Sequence, residues 1–68
     1  MRTSARNQLS GTVTSVTIGA VMAEVVVDVG GQQVVAAITK DSAEKLGLAE
    51  GGSVTAIIKA TDVMIGVG

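Results

Sequence analysis

The feature that most constrains the fold is an alternation of apolar and polar residues that ends in a pair of glycines. From Val21 to Val29 every odd position is apolar, and acidic residues mark the opposite face. A period of two is typical of a β-strand with one buried face. Gly30-Gly31 can adopt positive φ angles, and the apolar run Val34–Ile38 follows. The pattern predicts an antiparallel hairpin.

Upstream of the hairpin, the segment Leu9–Ile18 also alternates, but its phase changes partway along. A change of phase within one strand indicates a β-bulge or a bend at a barrel corner. Gly11 is expected to ease this bend, and Gly19-Ala20 is expected to form the turn into the next strand.

Downstream, the only helical candidate is Asp41–Leu46. Asp41 is a good N-cap residue, and Gly47 suits the left-handed position after a helix. Two further strands are predicted over Val54–Ala60 and Val63–Val67. Five short strands with one helix between the third and the fourth predict an all-β, OB-like barrel. Residues 1–68 are expected to form this single domain.

Composition restricts how such a chain is stabilised and what it does. The 68 residues include no cysteine and no histidine, which excludes disulfides, Ser-His-Asp and Cys-His catalysis, and zinc sites built on sulfur or imidazole. Hydrophobic residues make up 47% of the chain, but none is aromatic. A monomer of 68 residues cannot easily bury this amount of apolar surface, and we therefore expect a homo-oligomer.

Charge and hydropathy exclude several classes of function. The net charge of −1 gives no basic surface for the phosphates of nucleic acid. Without aromatic residues the chain also has no side chains on which bases can stack. The acidic residues have no spacing that predicts paired catalytic carboxylates or a metal site, so they are interpreted as solvated faces and turns, and no metal ligands are expected. No apolar run is long enough to span a bilayer, and a cytoplasmic location is expected.

The few cations and hydroxyls form two polar clusters that suit a small oxyanion. Arg6 follows Ser4 in the N-terminal segment, and Lys59 precedes Thr61 near the other end of the chain. A guanidinium can donate two parallel hydrogen bonds to an oxyanion. Both clusters could bind the same anion if the fold brings the two segments together. The alternatives are a solvated terminal arginine and a lysine that protects a sheet edge.

Thr39 and Ser42 flank the predicted start of the helix. Unpaired backbone N–H groups and the helix dipole favour an anion there. Helix capping alone would also explain both residues.

Several motifs closely resemble the molbindins, the small Mop-type molybdate-binding proteins with a TOBE domain. The specific ones are Ser-Ala-Arg-Asn-Gln-Leu over residues 4–9 and Ile-Lys-Ala-Thr-Asp-Val-Met-Ile over residues 58–65. Shorter matches include Gly-Ala-Val at 19–21 and Leu-Gly-Leu at 46–48. The resemblance covers essentially the whole chain.

The resemblance implies an OB-type barrel assembled as a homohexamer, a trimer of dimers, that holds molybdate or tungstate at subunit interfaces. It also implies a store or buffer that is not an enzyme and needs no cofactor. One subunit would contribute one group of residues to each site: Ser4, Ala5, Arg6, Lys59, Ala60 and Thr61. The neighbouring subunit would contribute Thr39 and Ser42.

The family also has a second class of site near a symmetry axis. It would use the turn formed here by Gly19, Ala20, Val21 and Met22. Met22 stands where the family commonly has asparagine, and a thioether cannot replace the amide as a hydrogen-bond donor to an oxyanion.

Two other functions fit parts of the sequence. An oxyanion-sensing module that regulates a partner protein would use the same residues. An OB-type nucleic-acid binder would share the fold, but the charge and the lack of aromatic residues oppose it. Within the oxyanion hypothesis, sulfate is the strongest competing ligand because it has the same charge and shape as molybdate. The proposed ligands include no obvious acceptor for the proton that phosphate keeps near neutral pH.

Overall fold

Four strands and one short helix form the regular structure of the computed structural model, which describes residues 1–68. In chain order they are β1 (Asn7–Ile18), β2 (Met22–Val29), β3 (Gln32–Thr39), α1 (Lys40–Lys45) and β4 (Ser53–Ile58). A single 3₁₀ turn follows at Ala60–Asp62. The strands form one antiparallel sheet in the order β3-β2-β1-β4. The sheet is open, and β3 and β4 are its edges.

The predicted hairpin is confirmed as β2 and β3. Val29 pairs with Gln32 across a two-residue turn in which Gly30 has a φ of 57° and Gly31 a φ of 87°. Two consecutive positive φ angles match the right-handed twist of the strands, and glycine adopts them without a steric penalty. The alternating apolar residues of β2 face inward, and three of them form most of the buried core: Ala23, Val25 and Val27.

The predicted irregularity in β1 is confirmed as a bulge at Thr14. Val13 pairs with Val27 but Ser15 pairs with Val26, so Thr14 is the extra residue. The bulge returns the apolar side chains of both halves of β1 to the same face, where Val13 is buried. Gly11 lies three residues before the bulge. It allows close approach of β2, because a Cβ there would lie 2.5 Å from the carbonyl oxygen of Asp28.

The helix begins one residue earlier than predicted, and its cap is a different residue. β3 runs directly into α1, and the Thr39 hydroxyl oxygen accepts a hydrogen bond from the backbone N–H of Ser42 at 3.0 Å. Asp41 lies inside the first turn and pairs with Lys45. Gly47 has a φ of 63°, as predicted for the residue after the helix. No helix of the chain combines the length and the apolar character needed to cross a membrane.

The predicted fifth strand over Val63–Val67 is wrong for the single chain, and so is a closed barrel. After the 3₁₀ turn no regular element forms, and residues 64–68 make no backbone hydrogen bonds. A strand needs a neighbouring strand to pair its backbone groups, and this segment lies against neither edge of the sheet. Met64, Ile65 and Val67 are 91%, 88% and 98% exposed.

The surface of the single chain is large for its mass. Only five of 68 residues are buried, and the accessible surface is 5150 Å². Folded monomers of this mass expose about 3,900 Å² on average. The inner face of the sheet lines a groove of about 520 Å³, and 13 of its 14 lining residues are hydrophobic. The apolar surface is therefore only partly buried within one chain.

The close approach at Gly11 predicts a loss of stability in Gly11→Ala. The new methyl group would meet backbone of β2, so we expect the free energy of unfolding to fall by about 1–3 kcal/mol. Urea denaturation followed by circular dichroism measures this change. Ser10→Ala is the control, because Ser10 lies next to Gly11 in β1, is exposed and makes no side-chain hydrogen bond. Equal stability of the two variants would contradict the steric explanation.

Candidate oxyanion-binding site

The pairing of β1 with β4 brings the two predicted cationic segments to one corner of the sheet. The ladder ends at the pair Asn7 and Ile58. Arg6 immediately precedes Asn7 in the chain and Lys59 immediately follows Ile58, so both cations leave the same end of the ladder. Both residues are exposed. Paired strand residues have Cα atoms about 5 Å apart, so the long side chains of the two neighbouring cations can reach one small anion.

Neither cation at this corner has an ion-pair partner. The two salt bridges of the chain both lie within α1, joining Lys40 to Glu44 at 4.0 Å and Lys45 to Asp41 at 3.0 Å. Two neighbouring like charges repel each other, and a bound anion would offset this repulsion. β4 is an edge strand, which is compatible with an edge-protecting Lys59. Edge protection does not, however, require a second cation at the same corner.

Donor groups flank both cations at this corner. Ser4 precedes Arg6 by two residues and is exposed. Ala60 and Thr61 open the 3₁₀ turn, and the first N–H groups of such a turn have no partner within it. The N–H of Ala5 donates to the hydroxyl of Thr3 at 3.2 Å, so a ligand that used this N–H would displace that hydroxyl.

Sequence reasoning missed two amide side chains at the same corner. Asn7 Nδ2 donates to the carbonyl oxygen of Ile58 at 3.1 Å, and Gln8 Nε2 donates to the carbonyl oxygen of Ala5 at 3.1 Å. These carbonyls belong to the residues immediately before Lys59 and Arg6. The only signal in the sequence was that both amides directly follow Arg6 in the chain as Asn7-Gln8, which does not indicate their acceptors.

The structure does not bring Thr39 and Ser42 to this corner. Thr39 pairs with Met22, beyond the opposite end of β1, at a distance from Arg6 on the order of 30 Å along the strand. Its hydroxyl caps α1 and also donates to Ser42 Oγ at 2.8 Å. The capping interpretation is therefore correct for Thr39. The hydroxyl hydrogen of Ser42 stays available to another acceptor.

The turn Gly19–Met22 lies beside Thr39. The N–H of Gly19 donates to the carbonyl of Met22 at 2.8 Å, and the carbonyl of Val21 accepts from the N–H of Lys40 at 2.7 Å. The N–H groups of Ala20 and Val21 make no hydrogen bond within the chain. The structure thus groups the predicted second site with Thr39 and Ser42, and separates both from Arg6 and Lys59.

Lys59 has no ion-pair partner and lies at the same end of the ladder as Arg6, which predicts that Lys59→Gln does not destabilise the ligand-free chain. At low ionic strength we expect the free energy of unfolding to stay equal or to rise by about 0.2–1 kcal/mol. Chemical denaturation at two salt concentrations measures it. Lys45→Gln is the control, because it removes an attractive pair and should give no gain. A clear loss of stability in Lys59→Gln alone would show that Lys59 takes part in a stabilising ion pair and would contradict the prediction.

Comparisons with known proteins support the resemblance that the motifs indicated. The family model "TOBE domain" matches residues 3–65. "Molybdenum-pterin-binding protein 3" of Clostridium pasteurianum is 54% identical over 66 residues, which cover 96% of this chain and 97% of that protein.

Two solved structures have the same fold as this chain. MopII from Clostridium pasteurianum has a TM-score of 0.91 at 48% identity, covering 97% of this chain and 100% of that one. The cytoplasmic molybdate-binding protein ModG, solved with molybdate bound, has a TM-score of 0.94 at 45% identity, covering all of this chain and 49% of that one. The architecture, the motifs and these similarities together show that the chain belongs to the TOBE domain family and to its Mop-type members.

Proposed function

We propose that this protein binds and stores molybdate or tungstate, as a homo-oligomer with its sites at subunit interfaces. The observation that carries the proposal is that Arg6 and Lys59 lie at the same end of the β1–β4 ladder with no carboxylate paired to either. A fully ionised dianion is stabilised most by fixed donors and positive charge without nearby negative groups. The molybdate bound to the similar ModG supports the choice of ligand.

The separation of the two groups of ligands supports a site between subunits. Arg6 and Lys59 lie at one end of β1, and Thr39 and Ser42 lie beyond its other end. Within one chain, the sheet therefore holds the two groups apart. In a second copy, the free hydroxyl hydrogen of Ser42 can face the anion held by Arg6 and Lys59. The full set is then Ser4, Ala5, Arg6, Lys59, Ala60 and Thr61 from one subunit, with Thr39 and Ser42 from its neighbour.

The surface of the chain supports assembly. It exposes about 1,200 Å² more than an average folded monomer of its mass, and stable interfaces bury about 800 Å² per partner. The edges β3 and β4 border an apolar groove, and Val63–Val67 is apolar and unpaired. This segment of a second copy, paired along the open edges, would complete the five-stranded barrel. Three such dimers would form the hexamer that the resemblance implies.

The chemistry of the corner favours an inorganic oxyanion over a larger ligand. The names of relatives include pterin, but the chain has no aromatic side chain on which a pterin ring could stack. Molybdate and tungstate share charge and tetrahedral shape, so donors that fit one fit the other. Sulfate is smaller, and discrimination against it depends on the width of the assembled site. No cofactor enters this function.

A second class of site is proposed at the turn Gly19–Met22. The free N–H groups of Ala20 and Val21 are the donors that support it. Met22 contributes no donor, so this site is expected to bind more weakly than the first. Such a protein would act in the cytoplasm, where molybdate is used, which agrees with the description of ModG.

The proposal predicts that Arg6→Ala loses molybdate affinity. Removal of charge-assisted hydrogen bonds should cost about 1.5–3 kcal/mol of binding free energy, which is at least a tenfold increase in Kd. Isothermal titration with molybdate, tungstate and sulfate measures affinity and site number.

Arg2→Ala is the matched control for this titration. It removes the same charge from the same exposed segment, four residues away, and should bind nearly as well as the unchanged protein. Equal affinity of Arg6→Ala and Arg2→Ala would refute the site assignment. Absence of molybdate binding by the unchanged oligomer would refute the function itself.

The assembly part of the proposal predicts that residues 63–68 are needed for oligomerisation. A chain ending at Asp62 should give a smaller mass by light scattering, because the apolar groove loses its occupant. Ile65→Asp should act in the same direction, because a charge cannot enter the groove without a partner. An unchanged oligomer mass in both variants would show that this segment does not close the barrel.

A further inference from the structure

Two backbone carbonyls at the Arg6 and Lys59 corner are occupied by amide side chains. The carbonyl of Ala5 accepts from Gln8 Nε2, and the carbonyl of Ile58 accepts from Asn7 Nδ2, both at 3.1 Å. Each carbonyl belongs to the peptide group that joins it to the following cationic residue. The peptide groups leading into Arg6 and Lys59 are therefore both held by neighbouring amides.

We infer that Asn7 and Gln8 are positioning residues of the oxyanion site. A trans peptide group is planar, with its carbonyl and its N–H pointing in opposite directions. An amide that fixes the direction of the carbonyl therefore also fixes the direction of the N–H of the following residue. It also fixes the direction in which the side chain of that residue leaves the backbone. Asn7 and Gln8 thereby orient Lys59 and Arg6 before any ligand is present. This inference rests on the proposed function.

The same hydrogen bonds reduce the repulsion that an anion would meet at the corner. A free carbonyl oxygen carries partial negative charge and would oppose a dianion placed between the two cations. A hydrogen bond from an amide N–H engages that oxygen without adding any charge. A carboxylate in place of either amide would reverse the effect, because it cannot donate when ionised and brings its own negative charge.

Packing does not explain the Gln8 hydrogen bond. Gln8 is exposed, and its acceptor lies only three residues away in the irregular segment before β1. Holding a long exposed side chain in one conformation costs entropy and buries no apolar surface here. Asn7 is partly buried and also fastens the end of β1 to β4, so its role combines stability and positioning. Gln8 is therefore the better residue for a test.

The test compares Gln8→Met and Gln8→Glu in the full oligomer, by titration with molybdate. Both substitutions keep the length of the side chain. Methionine removes the donor, and we expect a roughly tenfold rise in Kd. Glutamate adds a negative charge, and we expect a larger rise. Gln33→Met is the matched control, since Gln33 is exposed on β3 and makes no side-chain hydrogen bond. It should bind as the unchanged protein does.

A second readout separates positioning from a general structural role. The carbonyl ¹³C resonance of Ala5 should shift in Gln8→Met as its hydrogen bond is lost, with the melting temperature of the ligand-free protein unchanged. Unaltered affinity in Gln8→Met, or equal affinity of the Met and Glu variants, would overturn the inference. So would a loss of affinity that follows a loss of stability. If the unchanged protein binds no molybdate, the proposed function fails independently of this inference.

Discussion

The structure depends on the pairing of β1 with two partners. The first half of the strand pairs with β4 and the second half with β2, and the bulge at Thr14 lies just past the change of partner. Gly11 admits the backbone of β2 at close range, which a side chain would prevent. β1 therefore joins the hairpin to β4 and determines which residues lie at each end of the sheet. A change in its register would move every inward side chain to the outer face.

This pairing creates an electrostatic imbalance at one corner. Arg6 and Lys59 lie at the same end of the β1–β4 ladder without carboxylate partners, whereas the other two lysines pair with acidic residues within α1. Neighbouring like charges destabilise a ligand-free fold, and functional sites commonly retain such costs. The amides of Asn7 and Gln8 donate to two carbonyls at the corner and so reduce the partial negative charge that an anion would meet. The corner is thus organised for an anion before one binds.

Assembly is the second requirement, and it has the same physical origin as the open sheet. A chain of 68 residues without aromatic side chains cannot enclose a large core. The groove between the edges and the exposed residues 63–67 are two apolar surfaces that one chain leaves uncovered. In the proposed oligomer, burial of these surfaces and completion of the oxyanion site occur together, so ligand binding would stabilise the assembly.

The sequence by itself determined the hairpin, the bulge and Gly47 as the residue after the helix, because these follow from local periodicity and glycine conformation. It placed the cap at Asp41 instead of Thr39, since both residue types cap well and the choice depends on where β3 ends. It predicted a strand at Val63–Val67, because an apolar run cannot reveal whether a partner edge is within reach. Only the tertiary structure decided that Arg6 and Lys59 lie at the same end of the sheet, that Thr39 and Ser42 lie at the other end, and which carbonyls Asn7 and Gln8 engage. These are long-range or side-chain-specific relations, which depend on register and on backbone direction.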